Sequence, residues 1–268
     1  MNKVDLIAAQ KAQAFCEKYN IPFEHLADIL YEPKVVPMIR GKAFEFSVLN
    51  ALERILPTAT WNIRKQAMNA QRGLHDVDVE ITHKSSGQII RVECKLAKNN
   101  SYRLQAEQSY VSVKCMRSRT LGKEMVEALA PKLGIKKSVL AVHNDQYLPT
   151  DFDLVITSIG NAFYRTNRDT GLYEWQPTQD AQQFLARLGL GNRNAQDFAF
   201  NQMFVAGAQD LTITRENKIR CTRRKCLNPQ NCGFIPNYPI LRFDAESFVP
   251  LAPWVRLQEI ESLLQNFL

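Results

Sequence analysis

The chain has 268 residues, 45% apolar and 23% charged, which is enough apolar material to bury a sizeable core and excludes disorder as the default. Its charged N-terminus lacks the apolar run of a secretory signal, and no other run approaches the length of a membrane span; a cytoplasmic protein with no membrane partner is the expectation. Six cysteines are too sparse for the disulfide framework of a small secreted domain, so reduced thiols are expected.

The formal net charge is +7 and the pI about 9.1, and the location of that charge says more than its sum. Residues 91–137 hold eleven Lys and Arg against four Glu, an excess equal to that of the whole chain. Residues 215–225 hold six basic residues against Glu216, whereas residues 1–40 balance at five against five. Each basic cluster fits either a solvated charged face or a surface for a polyanion.

In chain order, residues 3–19 and 22–31 carry apolar positions at helical spacing, separated by the Asn20-Ile21-Pro22 break. After Gly41, the stripe Phe44, Val48, Leu52 and Ile55 predicts a helix that ends before Pro57. A short β-leaning run, Thr60–Arg64, leads through a polar loop to two alternating segments, 75–81 and 88–95, joined by the turn Lys84-Ser85-Ser86-Gly87. Residues 123–133 read as a helix, and Ser138–Val142 and Leu154–Thr157 as strands. Farther on, Asn167-Arg168-Asp169-Thr170-Gly171 reads as a hairpin turn, 178–188 as helical, and Val255–Phe267 as an amphipathic terminal helix.

The turn at Ser85-Ser86 sets the register of the hairpin, because antiparallel partners must then have numbers summing to 171. Asp78 falls opposite Glu93 and Asp76 opposite Lys95, and Asp76, Asp78, Glu80, Glu93 and Lys95 share one face. Directly opposed carboxylates lie only ~5 Å apart and repel unless a cation joins them. A hard divalent ion such as Mg²⁺ resolves the conflict. A half-exposed hairpin whose outer face is neutralised by Lys95 is the plainer alternative.

Asp78 followed by Glu93-Cys94-Lys95 resembles the split Asp…Glu-x-Lys signature of the PD-(D/E)XK nuclease superfamily, and Glu45 resembles the acidic residue that many members carry on a preceding helix. The order helix, three strands, helix, strand is similar to that family's core over residues 41–157. Val77 stands where the family's name has Pro, which leaves Asp76 as a rival for the metal-binding position. The resemblance implies an α/β (α+β) mixed-sheet fold with a restriction-endonuclease-like core (41–160); outside it lie a helical N-terminal arm (1–40) and an irregular C-terminal extension (161–268), the latter a candidate region for DNA recognition and dimerisation. It implies Mg²⁺ held by Asp78, Glu93 and the Cys94 main-chain carbonyl. Lys95 would position or help deprotonate the attacking water, and Glu45 would assist.

Lys98, Arg103, Lys114, Arg117, Arg119, Arg223 and Arg224 are the candidate DNA-binding residues, from type and region. Base reading is assigned on the same grounds to Arg117, Arg119, Arg168 and Arg193 with Asn192 and Asn194. Cys221, Cys226 and Cys232 place three thiols within twelve residues beside a basic run and suggest a zinc loop; a fourth ligand, Cys115 or His143, could come only through the fold. Ordinary reduced cysteines fit the same spacing. The single core without an ATPase motif most resembles a type II restriction endonuclease of a prokaryotic cell, a homodimer on double-stranded DNA leaving 5′-phosphate and 3′-hydroxyl ends. A structure-selective or repair nuclease of the same superfamily, and a non-catalytic DNA-binding protein built on the cysteine loop, are the alternatives.

Overall fold

The structure, a computed structural model, describes residues 3–65 and 77–268. The expected helical arm is present as α1 (Lys3–Lys18) and α2 (Leu26–Leu30). Helix α3 (Val35–Ile55) begins ahead of Gly41 and ends, as its stripe requires, before Pro57. Phe44, Val48 and Leu52 are its buried apolar line.

Strands β1 (Trp61–Arg64), β2 (Val79–His83) and β3 (Ile89–Leu96) form the antiparallel meander. The β2–β3 register is the one calculated from the turn, with Val79 opposite Val92 and Glu80 opposite Arg91. Gly87, at φ 72°, supplies the left-handed residue that closes the turn, and His83 N–H donates to the Gln88 carbonyl at its base.

A small hairpin, β4 (Arg103–Gln105) and β5 (Gln108–Ser112), then α4 (Lys123–Lys132) and α5 (Lys137–Val142), carry the chain across to β6 (Leu154–Ser158), which lies parallel to β3. Residues 138–142 are thus helical and not the expected strand. A five-residue apolar run has no periodicity that separates the two states, and packing decides it: Leu140 closes a satellite core with α4 and Phe234.

Beyond β6 come the hairpin β7 (Tyr164–Thr166) and β8 (Tyr173–Trp175), helices α6 (Gln179–Arg187) and α7 (Ala195–Asn201), and β9 (Met203–Gly207). Strand β10 (Ile240–Arg242) pairs with β5, and β11 (Val255–Arg256) pairs with β9. The terminal segment was expected to be helical from Val255. Its first two residues instead complete the sheet, and helix follows only as a 3₁₀ turn, α8 (Ile260–Leu264) and a second 3₁₀ turn. Val255 is drawn into the ladder by pairing with Val205.

The result is a mixed α/β fold on a six-stranded mixed sheet of order β1-β2-β3-β6-β9-β11. One face is covered by α3 and the C-terminal helical turns, over Val79, Ile81, Ile90, Val92 and Ile156. Across the β6–β9 half, the other face packs Val155, Phe204 and Ala206 against the second sheet and Phe184. Across the β2–β3 half that face is polar, which is where the acidic residues lie. Arg91 and Asp153 lock β3 to β6: the Asp153 carboxylate accepts from the Arg91 backbone N–H (2.8 Å) and from its guanidinium (3.1 Å). Among the described residues, no helix is long and apolar enough to cross a membrane.

Leu52 is fully buried between α3 and the sheet. Leu52→Ala is expected to cost about 2–5 kcal/mol, measured as a lower urea midpoint at unchanged m-value.

Candidate active site

Asp78 sits just before β2, and Glu93 and Lys95 lie on the second half of β3, beyond the last β2 partner. This is why the pair can turn inward: the strand that would cover Cys94 has not yet begun, and the Cys94 N–H donates instead to Asp78 Oδ2 at 2.8 Å. Glu45 reaches the same region from α3, one residue along from the buried Phe44. Glu45 and Glu93 are 6% exposed and Asp78 8%, so three carboxylates are almost out of water together.

Their partners are specific. Glu93 Oε1 receives Lys95 Nζ at 2.6 Å and the Tyr147 hydroxyl at 2.8 Å. Glu45 pairs with Lys42 at 2.8 Å and with Lys65. Among the described residues, Asp78 has no such cation. Burial, then the charges of Glu93 and Glu45, push its carboxyl from 3.8 to about 7, against the opposing pull of the Cys94 N–H and Lys95. Burial by itself would lower the Lys95 ammonium, but Glu93 outweighs it and the pKa is raised well above the usual lysine value. Lys95 is therefore a fixed cation at neutral pH. Burial also keeps the Cys94 thiol and the Tyr147 phenol protonated.

Of the other acids expected on this face, Glu80 belongs to a different pair: its carboxylate accepts from Arg64 at 2.7–2.8 Å across β1–β2. Asp76 lies outside the described residues. Tyr147 was not singled out from sequence, and no local pattern marks it; it arrives from the loop after α5.

The basic residues divide into two groups. Lys98, Arg103, Lys114, Arg119 and Arg224 are exposed, with Lys98 standing 4.8 Å from the Tyr238 ring centroid. Arg117 turns inward, pairing with Asp151, donating to the Gln146 carbonyl at 2.9 Å and lying 5.0 Å from the Tyr147 ring centroid. Arg223 pairs with Asp145. Among the base-reading candidates, Asn194 is occupied as the N-cap of α7 and Arg193 caps the Gly189 and Leu190 carbonyls, whereas Arg168 and Asn192 are exposed.

Cys221, Cys226 and Cys232 converge with His143, their ligand atoms all within 4.8 Å of one another. This group could hold a metal ion. His143, at the end of α5, is the fourth member, while Cys115 is fully buried elsewhere in the core with its thiol pushed up to about 12 by burial. Burial likewise raises the Cys232 thiol to about 12 and lowers the His143 imidazole, so without metal Cys232 is a thiol and His143 a neutral imidazole at pH 7.

No family model matches the chain, and neither a curated protein nor a solved structure is found to match it.

The Asp78 geometry carries a pH signature for the metal-free protein. Its carboxyl goes from 3.8 to about 7 on folding, so the folded state holds a proton that the unfolded chain gives up. Stability from this group is intact below pH 4, falls as pH rises towards 7 and is level above. Asp78→Asn keeps an oxygen for the Cys94 N–H and removes the charge. In EDTA at pH 8 it is expected to be more stable than the parent by roughly 2–4 kcal/mol, with the difference vanishing near pH 4 in urea titrations.

Proposed function

We propose that the chain is a Mg²⁺-dependent endonuclease that hydrolyses phosphodiester bonds of double-stranded DNA. The observation that carries this reading is the crowding of Asp78 against Glu45 and against Glu93, which holds the fixed ammonium of Lys95, with Asp78 having no cation of its own among the described residues. The donor set fits Mg²⁺, a hard ion that takes one or two carboxylates and keeps its remaining positions for water and phosphate oxygens. Among the described residues, Cys94 N–H donates to one Asp78 oxygen and Lys95 and Tyr147 converge on one Glu93 oxygen, and Asp78, Glu93 and the Cys94 main-chain carbonyl would hold the ion. When bound, Mg²⁺ supplies an activated water and neutralises charge on the phosphate.

The chain's own residues do the rest. Lys95 remains charged, so its part is to orient the attacking water and to meet the growing negative charge of the phosphate, not to take up a proton. Glu93 holds that ammonium in place, and Glu45, itself neutralised by Lys42 and Lys65, adds negative potential beside Asp78. The products expected are a 5′-phosphate and a 3′-hydroxyl.

The exposed Lys98, Arg103, Lys114, Arg119 and Arg224 supply cations for the DNA backbone. A type II restriction enzyme is the reading within this class, acting as a homodimer on a two-fold site. The soft donors of Cys221, Cys226, Cys232 and His143 suit zinc and not a second Mg²⁺.

Phage-length duplex DNA incubated with the protein and Mg²⁺ is expected to give a discrete ladder, with none in EDTA. Lys95→Ala is expected to slow cleavage by roughly 10²–10³. Intact DNA in Mg²⁺ with a retained gel shift would overturn the nuclease reading in favour of a non-catalytic DNA-binding protein, and cutting confined to branched or flapped substrates would replace restriction with structure-selective cleavage.

A further inference from the structure

The two clusters are neighbours along one short segment. His143 ends α5 among the thiols, and four residues on, Tyr147 puts its hydroxyl on Glu93. We infer that zinc bound by Cys221, Cys226, Cys232 and His143 is a closed structural ion that, through residues 143–147, holds the Tyr147 hydroxyl against Glu93. The coupling to Glu93 rests on the nuclease reading above; the ion itself does not.

The ligand geometry favours zinc. A tetrahedral zinc with Zn–S of about 2.3 Å sets its sulfurs about 3.8 Å apart, so ligand atoms already within 4.8 Å need contract by only ~1 Å. Four protein ligands leave no open position, which is the pattern of a structural site and not of a catalytic one. The imidazole is also set up for it. Gln146 Nε2 donates to the Ile235 carbonyl at 2.9 Å, which turns its Oε1 to His143 Nδ1 at 2.5 Å. An amide oxygen only accepts, so Nδ1 carries the hydrogen and Nε2 presents a lone pair to the thiols. Phe234, stacked at 4.3 Å and 11°, holds the ring plane.

The path from the ion to Glu93 is short and fully bonded. Gln146, which orients the ligand, is the residue before Tyr147. Ile235 N–H donates to the Tyr147 carbonyl at 2.8 Å, so one strand of chain grips both residues. Asp145 accepts from Arg223 in the thiol loop and from Asn237 at 2.9 Å. Arg117 spans the same peptides, its N–H on the Asp145 carbonyl at 3.0 Å and its Nε on the Gln146 carbonyl at 2.9 Å. Without an ion, the thiol loop and the end of α5 keep the Arg223–Asp145 pair, the Phe234 stack and the Ile235 and Asn237 hydrogen bonds, and Tyr147 loses one of the supports that aim it. Tyr147 is a positioning residue: it fixes which oxygen of Glu93 faces Lys95 and which is free.

The experiment uses the full-length protein. Elemental analysis is expected to give about one zinc per chain, lost in Cys226→Ser, whose cysteine is only partly buried; Co²⁺ loaded into chelator-stripped protein is expected to show the intense thiolate charge-transfer and d–d bands of a tetrahedral site. Absence of zinc together with absence of those bands would overturn the site. Mn²⁺ affinity of the acidic site, read by calorimetry with no DNA present, is expected to weaken about tenfold in stripped protein, to return on adding zinc back, and to weaken to a similar extent in Tyr147→Phe that keeps its zinc. Unchanged Mn²⁺ affinity on stripping or in Tyr147→Phe would overturn the coupling. Zinc-dependent Mn²⁺ binding without DNA cleavage by the intact protein would sustain this inference while sinking the nuclease reading.

Discussion

The crowding of three carboxylates where β3 runs on past the start of β2 is the constraint on which the rest of the structure turns. Asp78, Glu93 and Glu45 are buried together, and burying like charges is unfavourable unless each finds a cation or a donor. The surrounding residues are arranged to offset it. Lys95 and Tyr147 converge on Glu93, Lys42 and Lys65 on Glu45, and a single backbone N–H serves Asp78. The remaining imbalance falls on Asp78, where it raises the carboxyl to about 7. This imbalance, left at one residue while its neighbours are neutralised, is what the proposed Mg²⁺ would relieve.

The scaffold that holds this arrangement is assembled from distant parts of the chain. Asp78 and Glu93 come from one hairpin, Glu45 from the helix before it, and Tyr147 from the crossover that makes β3 and β6 parallel. The crossover also carries His143 to the thiols. One connection therefore serves both clusters, and the inward-facing Arg117 is its central tie, bound to Asp151, to the Gln146 carbonyl and over the Tyr147 ring. A residue that reads from sequence as one more positive charge on a basic surface is here a fastening between two sites.

Positive charge is likewise sorted by the fold. Arg91, Arg117 and Arg223 are engaged with Asp153, Asp151 and Asp145. Lys98, Arg103, Lys114, Arg119 and Arg224 stay at the surface. An arginine paired to a carboxylate contributes order and little field at a distance, whereas unpaired exposed cations attract a polyanion in proportion to their number. The basic excess of residues 91–137 is therefore smaller as a binding surface than it is as a count.

How much of this was legible in the sequence depends on the range of the interaction concerned. The stripe of α3, the turn at Gly87 and the 171 register are local, set by side-chain periodicity and turn geometry within a few residues. They sufficed to put Asp78 opposite Glu93 and Lys95 on the same face. Residues 138–142 and 255–256 were not legible, because a short apolar run takes helix or strand according to what it packs against: the former meets α4 and Phe234, the latter pairs with β9. Nor did sequence choose between Cys115 and His143, identify Tyr147, or separate inward from outward arginines. Each of those depends on contacts between segments far apart in the chain, and such contacts exist only once the crossover has brought β6 beside β3. The sequence by itself determined the hairpin and its acids; the tertiary structure decided what surrounds them.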